Sequence, residues 1–239
     1  IIIFDIFGKG QSINEFLMAS SVVIMGLAFI GLLDDLLGMR QRTKAVLPFL
    51  FALPLGVFVP EELYIPLFGT IDFGHFMLFL VPFAVTCAAN STNMLEGFNG
   101  LGSGMAIIIS STLIVIAIIN NNLGGVFFLS SLLGSLIAFY YFNKFPAKIF
   151  PGDTLTLFMG GTIACSAIIS DLKLEGFILL APMICEFFLK AKGKFKAQCF
   201  GQSTDKRILY YDGPIESLTH FVMLNFKVTE VRLVSIFLI

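Results

Sequence analysis

The sequence predicts an all-α, polytopic transmembrane helix bundle, and three observations carry that expectation. Of the 239 residues 57% are apolar and 13% charged, whereas soluble domains average about 25% charged. The apolar residues gather into runs that approach bilayer length. Those runs lack strand-like alternation, and closed helices satisfy their own backbone groups where no water can. The same composition excludes a disordered chain, a collagen-like chain and a secreted disulfide scaffold. Formal net charge is −1, from 15 basic and 16 acidic residues, so no overall field points to nucleic acid.

The runs lie at 16–33, 45–59, 76–89, 101–119, 123–142, 155–169, 176–189 and 228 onward. They predict about eight spans in a single membrane-embedded domain over 1–239. A perpendicular span takes about 20 residues, so the shorter runs need their polar flanks. Pro48, Pro54, Pro82 and Pro182 fall inside runs, as membrane helices tolerate. Gly104, Gly134, Gly160 and Gly161 are expected at close helix contacts. Cys87, Cys165, Cys185 and Cys199 show no metal or redox spacing, and the first three read as small hydrophobes. Both ends of the chain look like interrupted apolar segments, which predicts a piece of a longer protein.

Basic residues separate by side when the loops are assigned alternately. One side takes Arg40, Arg42, Lys44, Lys144, Lys148 and the loop 190–227 with its lysines; the other takes Lys9 and Lys173. The basic side is expected to be cytoplasmic.

Four polar clusters fall on that side. Asp34-Asp35 ends an apolar run, followed by Arg40, Arg42 and Lys44. Adjacent carboxylates repel and need water, cations or a metal; a solvated helix end is the plainer alternative. The string 90–100, Asn-Ser-Thr-Asn-Met-Leu-Glu-Gly-Phe-Asn-Gly, puts Asn90 and Asn93 on one helical face. Its Gly97 and Gly100 fit a tight turn or a close ligand, and Glu96 reads as a solvated flank. The string 143–154 ends in Phe150-Pro151-Gly152-Asp153-Thr154. There Asp153 or Thr154 would cap the next helix, or that helix N-terminus would favour an anionic ligand with Asp153 holding a cation. In the loop 190–227, Lys190, Lys192, Lys194 and Lys196 alternate, as a headgroup patch or as a phosphate clamp. His220 is expected to pack. Carboxylates, amides and lysines on one face describe a site for a metal-bound diphosphate.

These strings resemble the polyprenyl-phosphate N-acetylhexosamine-1-phosphate transferases. The resemblance rests on Asp34-Asp35 with Lys44, on 90–101 and on 146–154, and covers most of the chain. It implies a bundle of about ten helices, with one or two spans before residue 1. Bacterial members commonly carry aspartates at the positions of Glu96 and Asn99. Asn99 therefore looks more like the archaeal and eukaryotic dolichyl-phosphate branch. The lysine-rich loop, lacking that branch's histidine/arginine string, looks more archaeal.

What the resemblance implies is transfer of N-acetylglucosamine-1-phosphate from UDP-N-acetylglucosamine to a polyprenyl (dolichyl) phosphate. Asp153 and Asn93 would bind Mg2+, with Mn2+ as the alternative ion. Lys44 would contact phosphate, Phe150 would stack on uracil, and Gly97 and Asn99 would hydrogen-bond near its edge. Asp34 and Asp35 would position the lipid phosphate or assist its deprotonation, and Asn90 would support the site; read from the basic clusters themselves, Lys148, Lys194 and Lys196 are expected to help bind the anionic substrate. The expected setting is a lipid bilayer, the plasma membrane in a prokaryote or the endoplasmic reticulum in a eukaryote, with a homodimer admitted and no nucleic acid. Two alternatives stand beside this: a bacterial-type undecaprenyl-phosphate sugar-1-phosphate transferase, and a transporter of a nucleotide-sugar or lipid-linked anion. Glu186, an acid inside a run, is the residue that would suit transport.

Overall fold

A computed structural model describes residues 11–65, 69–195, 197–204 and 207–239. Its elements in chain order are α1 (Gln11–Leu37), α2 (Gln41–Gly56), β1 (Glu62–Ile65), β2 (Gly69–Asp72), α3 (Met77–Leu95), α4 (Leu101–Ile119) and α5 (Val126–Asn143). There follow α6 (Gly152–Ile169), α7 (Lys173–Leu179), α8 (Ala181–Lys192), β3 (Gln202–Ser203), β4 (Leu209–Tyr210), α9 (Leu218–Asn225) and α10 (Glu230–Leu238).

Among the described residues five helical segments are long and apolar enough to cross a membrane: Glu15–Leu37, Gly74–Leu95, Leu101–Ile119, Leu123–Asn143 and Gly152–Ile169. The apolar runs at 45–59, 176–189 and 228 onward form shorter helices, of 16 residues in α2, 12 in α8 and 9 in α10. Pro48 and Pro54 lie inside α2, and Pro182 sits at the start of α8, where its missing N–H costs nothing. Two small antiparallel hairpins, β1–β2 and β3–β4, join the helices. The second lies in the loop 190–227, which also forms α9.

The bundle is organised on α6, which packs against α1 and α3. Every residue over 159–168 is buried, Thr162 and Ser166 among them, so this part of the helix is enclosed on all sides rather than along one stripe. Gly160 lies against Thr92 and Ala88 of α3, and Gly161 against Leu27 of α1. A side chain at either position would collide. Gly104 faces Leu238 of α10, but Gly134 has open space around it and makes no close helix contact, contrary to expectation. Thr92 adds a polar tie, donating its hydroxyl to the carbonyl of Thr156 at 2.9 Å. Asn143, fully buried at the end of α5, accepts from the Ser103 hydroxyl at 2.6 Å and donates to the Ile149 carbonyl at 3.0 Å. That pair of bonds fixes the turn that leads into α6.

Candidate active site

Asp34 and Asp35 fall in the last turn of α1, where the helix dipole opposes negative charge, and each finds its partners outside the helix. Gly38, at φ 65°, turns the chain back. Asp34 then accepts from the Met39 N–H at 2.6 Å and from Lys44 Nζ at 2.8 Å. Lys44, in the first turn of α2, also pairs with Asp153 of α6. One ammonium thus bridges two carboxylates from different helices.

Asp35 takes the first turn of α6. Its Oδ1 accepts from the Asp153 N–H at 2.8 Å, and its Oδ2 from the Thr154 N–H at 2.9 Å and the Thr154 hydroxyl at 2.6 Å. This corrects the expectation that Asp153 or Thr154 caps the helix, since α6 makes no side-chain cap of its own. It also means that a carboxylate of the chain already occupies the anion position at that N-terminus. Gly152 makes the approach feasible: it sits at φ 60°, and a Cβ there would lie 2.6 Å from Asp35 Oδ2.

Beside this junction opens a cavity of about 250 Å³. Of the residues singled out in the sequence, Asn93, Gly97, Phe150 and Asp153 line it. Asn93 and Asp153 are half-buried, and Phe150 is 71% exposed, its ring free to be covered by a ligand. Asn93 and Asp153 bring an amide and a carboxylate to the cavity lining. Both are hard oxygen donors, the type magnesium takes, usually with substrate phosphates completing its shell. Among the described residues no three His, Cys, Asp or Glu side chains gather to hold a metal by themselves.

Glu96 also lines the cavity and is not the solvated flank expected from the sequence. Its Oε2 is buried without a partner, just beyond the end of α3. Burial pushes the carboxyl up to about 7, and the backbone N–H of Gly102 offsets part of that rise. Phe200, from the loop after α8, completes the wall. No motif signals it; it follows Cys199 in a loop read for its charged and polar residues.

The other predicted residues lie outside the cavity wall. Asn90 is buried and donates to the Thr86 carbonyl of its own helix at 2.9 Å. Asn99 donates its backbone N–H to Glu230 of α10 at 2.9 Å. Lys148 and Lys194 are exposed, and Lys196 lies outside the described residues. His220 packs as expected, buried with its ring stacked on Tyr211 at 3.8 Å. Glu186 is fully buried and commits Oε2 to the Ser217 hydroxyl and the Leu218 N–H, at 3.1 and 2.7 Å.

Five membrane-length helices, with an ion-paired polar site where α1, α2, α3 and α6 meet, make this an integral membrane protein. Residues 17–171 match the model of glycosyl transferase family 4, and the chain belongs to that family. A relative from Saccharolobus solfataricus, provisionally named UDP-N-acetylglucosamine–dolichyl-phosphate N-acetylglucosaminephosphotransferase, is 41% identical over 95% of this chain and 71% of its own. A Sulfolobus acidocaldarius protein with the same provisional name is 37% identical over 92% of this chain and 68% of its own. A phospho-N-acetylmuramoyl-pentapeptide-transferase from Thermoanaerobacter is 33% identical over 67% of this chain and 55% of its own.

Proposed function

We propose that the protein transfers N-acetylglucosamine-1-phosphate from UDP-N-acetylglucosamine to a dolichyl-type polyprenyl phosphate and releases UMP, the first step of lipid-linked oligosaccharide assembly. The carrying observation is the meeting of Asp34, Asp35, Lys44 and Asp153 at the edge of a cavity that Asn93 and Phe150 also line. The provisional names of the two archaeal relatives favour this donor and acceptor over the muramoyl-pentapeptide pair. The lysine asymmetry supports a cytoplasmic site, where a nucleotide-sugar is available.

In this reading an oxygen of the lipid phosphate attacks the phosphorus that carries the sugar. The bond from that phosphorus to the bridging oxygen breaks, and UMP leaves with the electron pair. The acceptor is already an anion at neutral pH, so the protein needs no strong base. Its task is positioning and charge balance. Phe150 offers a flat surface to the uracil, and Gly97 lets the backbone approach it. Lys44 supplies positive charge to phosphate, and Asp34 orients the ammonium. Asp35 acts through α6, whose first turn presents Asp153. Asn93 and Asp153 would hold magnesium, whose contribution is neutralisation of the leaving diphosphate.

The deciding assay incubates the full chain in lipid vesicles with UDP-N-acetylglucosamine, dolichyl phosphate and Mg2+. UMP release that requires both substrates is expected. Uptake of intact nucleotide-sugar without UMP release would show a transporter instead.

A further inference from the structure

We propose that Phe200 is a substrate-binding wall of the cavity, contacting the nucleoside of the donor, and that the buried carboxylate of Glu186 is the positioning residue that holds it there. This rests on the nucleotide-sugar reading above. Glu186 lies on α8 with no solvent exposure. Its Oε2 takes the Leu218 N–H and the Ser217 hydroxyl, so it caps α9 from another helix. Its Oε1 lies 3.6 Å from both Cys199 Sγ and Lys190 Nζ. Lys190 in turn donates to the Met94 carbonyl at the end of α3.

Cys199 is gripped from the other side as well. Its carbonyl accepts from the Thr219 hydroxyl at 2.6 Å, its thiol donates to the Met94 carbonyl at 3.3 Å, and its Cβ would lie 2.8 Å from a Cβ at Gly97. One buried carboxylate therefore ties α8, α9, the end of α3 and the loop into a single knot. The next residue, Phe200, leaves that knot and enters the cavity lining that also contains Phe150. Its ring rests edge-on against Phe98 at 5.7 Å, yet stays 54% exposed. An aromatic ring held from behind and open in front is a ready contact surface for the flat, partly apolar face of a nucleoside. A fully buried carboxylate is expensive unless its oxygens find partners, and both oxygens of Glu186 lie against polar groups. Here its oxygens serve the anchor rather than the reaction.

The test is a double-mutant cycle on the full chain in vesicles, using Phe200→Ala, Glu186→Gln and the pair, with UDP-N-acetylglucosamine and dolichyl phosphate varied separately. Phe200→Ala is expected to raise the donor KM about tenfold, the loss of one aromatic contact, and to leave the acceptor KM unchanged. Glu186→Gln should raise the donor KM in the same direction, and the pair should cost no more than the larger single change. UMP binding to the wild type, followed by calorimetry, separates the two levels of the proposal. Wild type that binds UMP while Phe200→Ala keeps the wild-type donor KM overturns this inference alone. Additive effects of the two substitutions, or a lowered Tm in Glu186→Gln with an unchanged donor KM, overturn the positioning role. If Glu186→Gln does not accumulate, Ser217→Ala and Thr219→Val loosen the same knot and carry the same expectation. Wild type that binds no uridine nucleotide overturns the parent reading and this one with it.

Discussion

Asp35 and Thr154 are joined twice through one oxygen: Asp35 Oδ2 accepts both the backbone N–H of Thr154, at 2.9 Å, and its hydroxyl, at 2.6 Å. The Asp153 N–H fills Oδ1, so the acid at the end of one membrane helix is the N-terminal cap of another. Asp35→Ala is therefore expected to lower stability by about 1–2 kcal/mol, and Asp35→Asn by less. Thermal unfolding in detergent measures this. Full activity loss in Asp35→Ala with an unchanged Tm would move Asp35 from the scaffold to the chemistry.

Asp34 and Asp153 share Lys44 but should part company on substitution. Asp34→Asn keeps an oxygen for Lys44 and removes no base that the reaction needs, so measurable UMP release is expected to persist. Asp153→Asn keeps an oxygen but removes the negative charge of a proposed metal ligand. It should raise the Mg2+ concentration for half-maximal activity by at least the 10–100-fold, in round terms, that loss of an outer-shell partner already costs. An unchanged magnesium titration removes Asp153 from that role.

The contact between α3 and α6 offers a comparison of polar and steric terms. Thr92→Val deletes the bond to Thr156 and keeps the shape; interhelical bonds of this kind average about 0.6 kcal/mol in membranes. Gly160→Val puts methyl groups onto Thr92 and Ala88, and overpacking of that sort costs roughly 1–3 kcal/mol. The second variant should unfold at the lower temperature. The reverse order would mean that the helices give way more easily than their contacts imply.

Glu96 links pH to stability. Its carboxyl stands at about 7 in the fold against 4.5 in the open chain. The folded state therefore holds the proton more tightly, and its advantage is complete below pH 4.5 and lost as pH rises to about 7. Glu96→Gln should flatten the stability profile across that window, by at most about 3 kcal/mol. A wild-type profile that is already flat there would place the carboxylate in water.

Much of this could be read in the chain before any coordinates. Apolar runs without alternation become helices because lipid leaves the backbone no other partner. The strings around Asp34, Asn93 and Asp153 stand out because polar groups are costly in such a setting. What could not be read was pairing across distance. Asp35 and Asp153 are 118 residues apart, and no local rule says that the first will cap the helix of the second. Glu96 was legible as an acid but not as a buried one, since it falls at a helix end where water is the default partner, while Gly102, folded against it, is not adjacent. Gly134 looks like Gly160 in sequence; only the neighbour opposite each distinguishes a helix contact from open space.

The bridge of Lys44 between Asp34 and Asp153 has a consequence for how ligands enter. Asp34, Asp35 and Asp153 set three carboxylates around one ammonium, so the charges of the junction favour a cation beside them. On the proposed reading Asp153 would hold the cation of a metal-bound diphosphate, and Asp34 would keep the Lys44 ammonium in place to face phosphate. Donor binding would then exchange one carboxylate partner of Lys44 for phosphate, and release of UMP would reverse that swap.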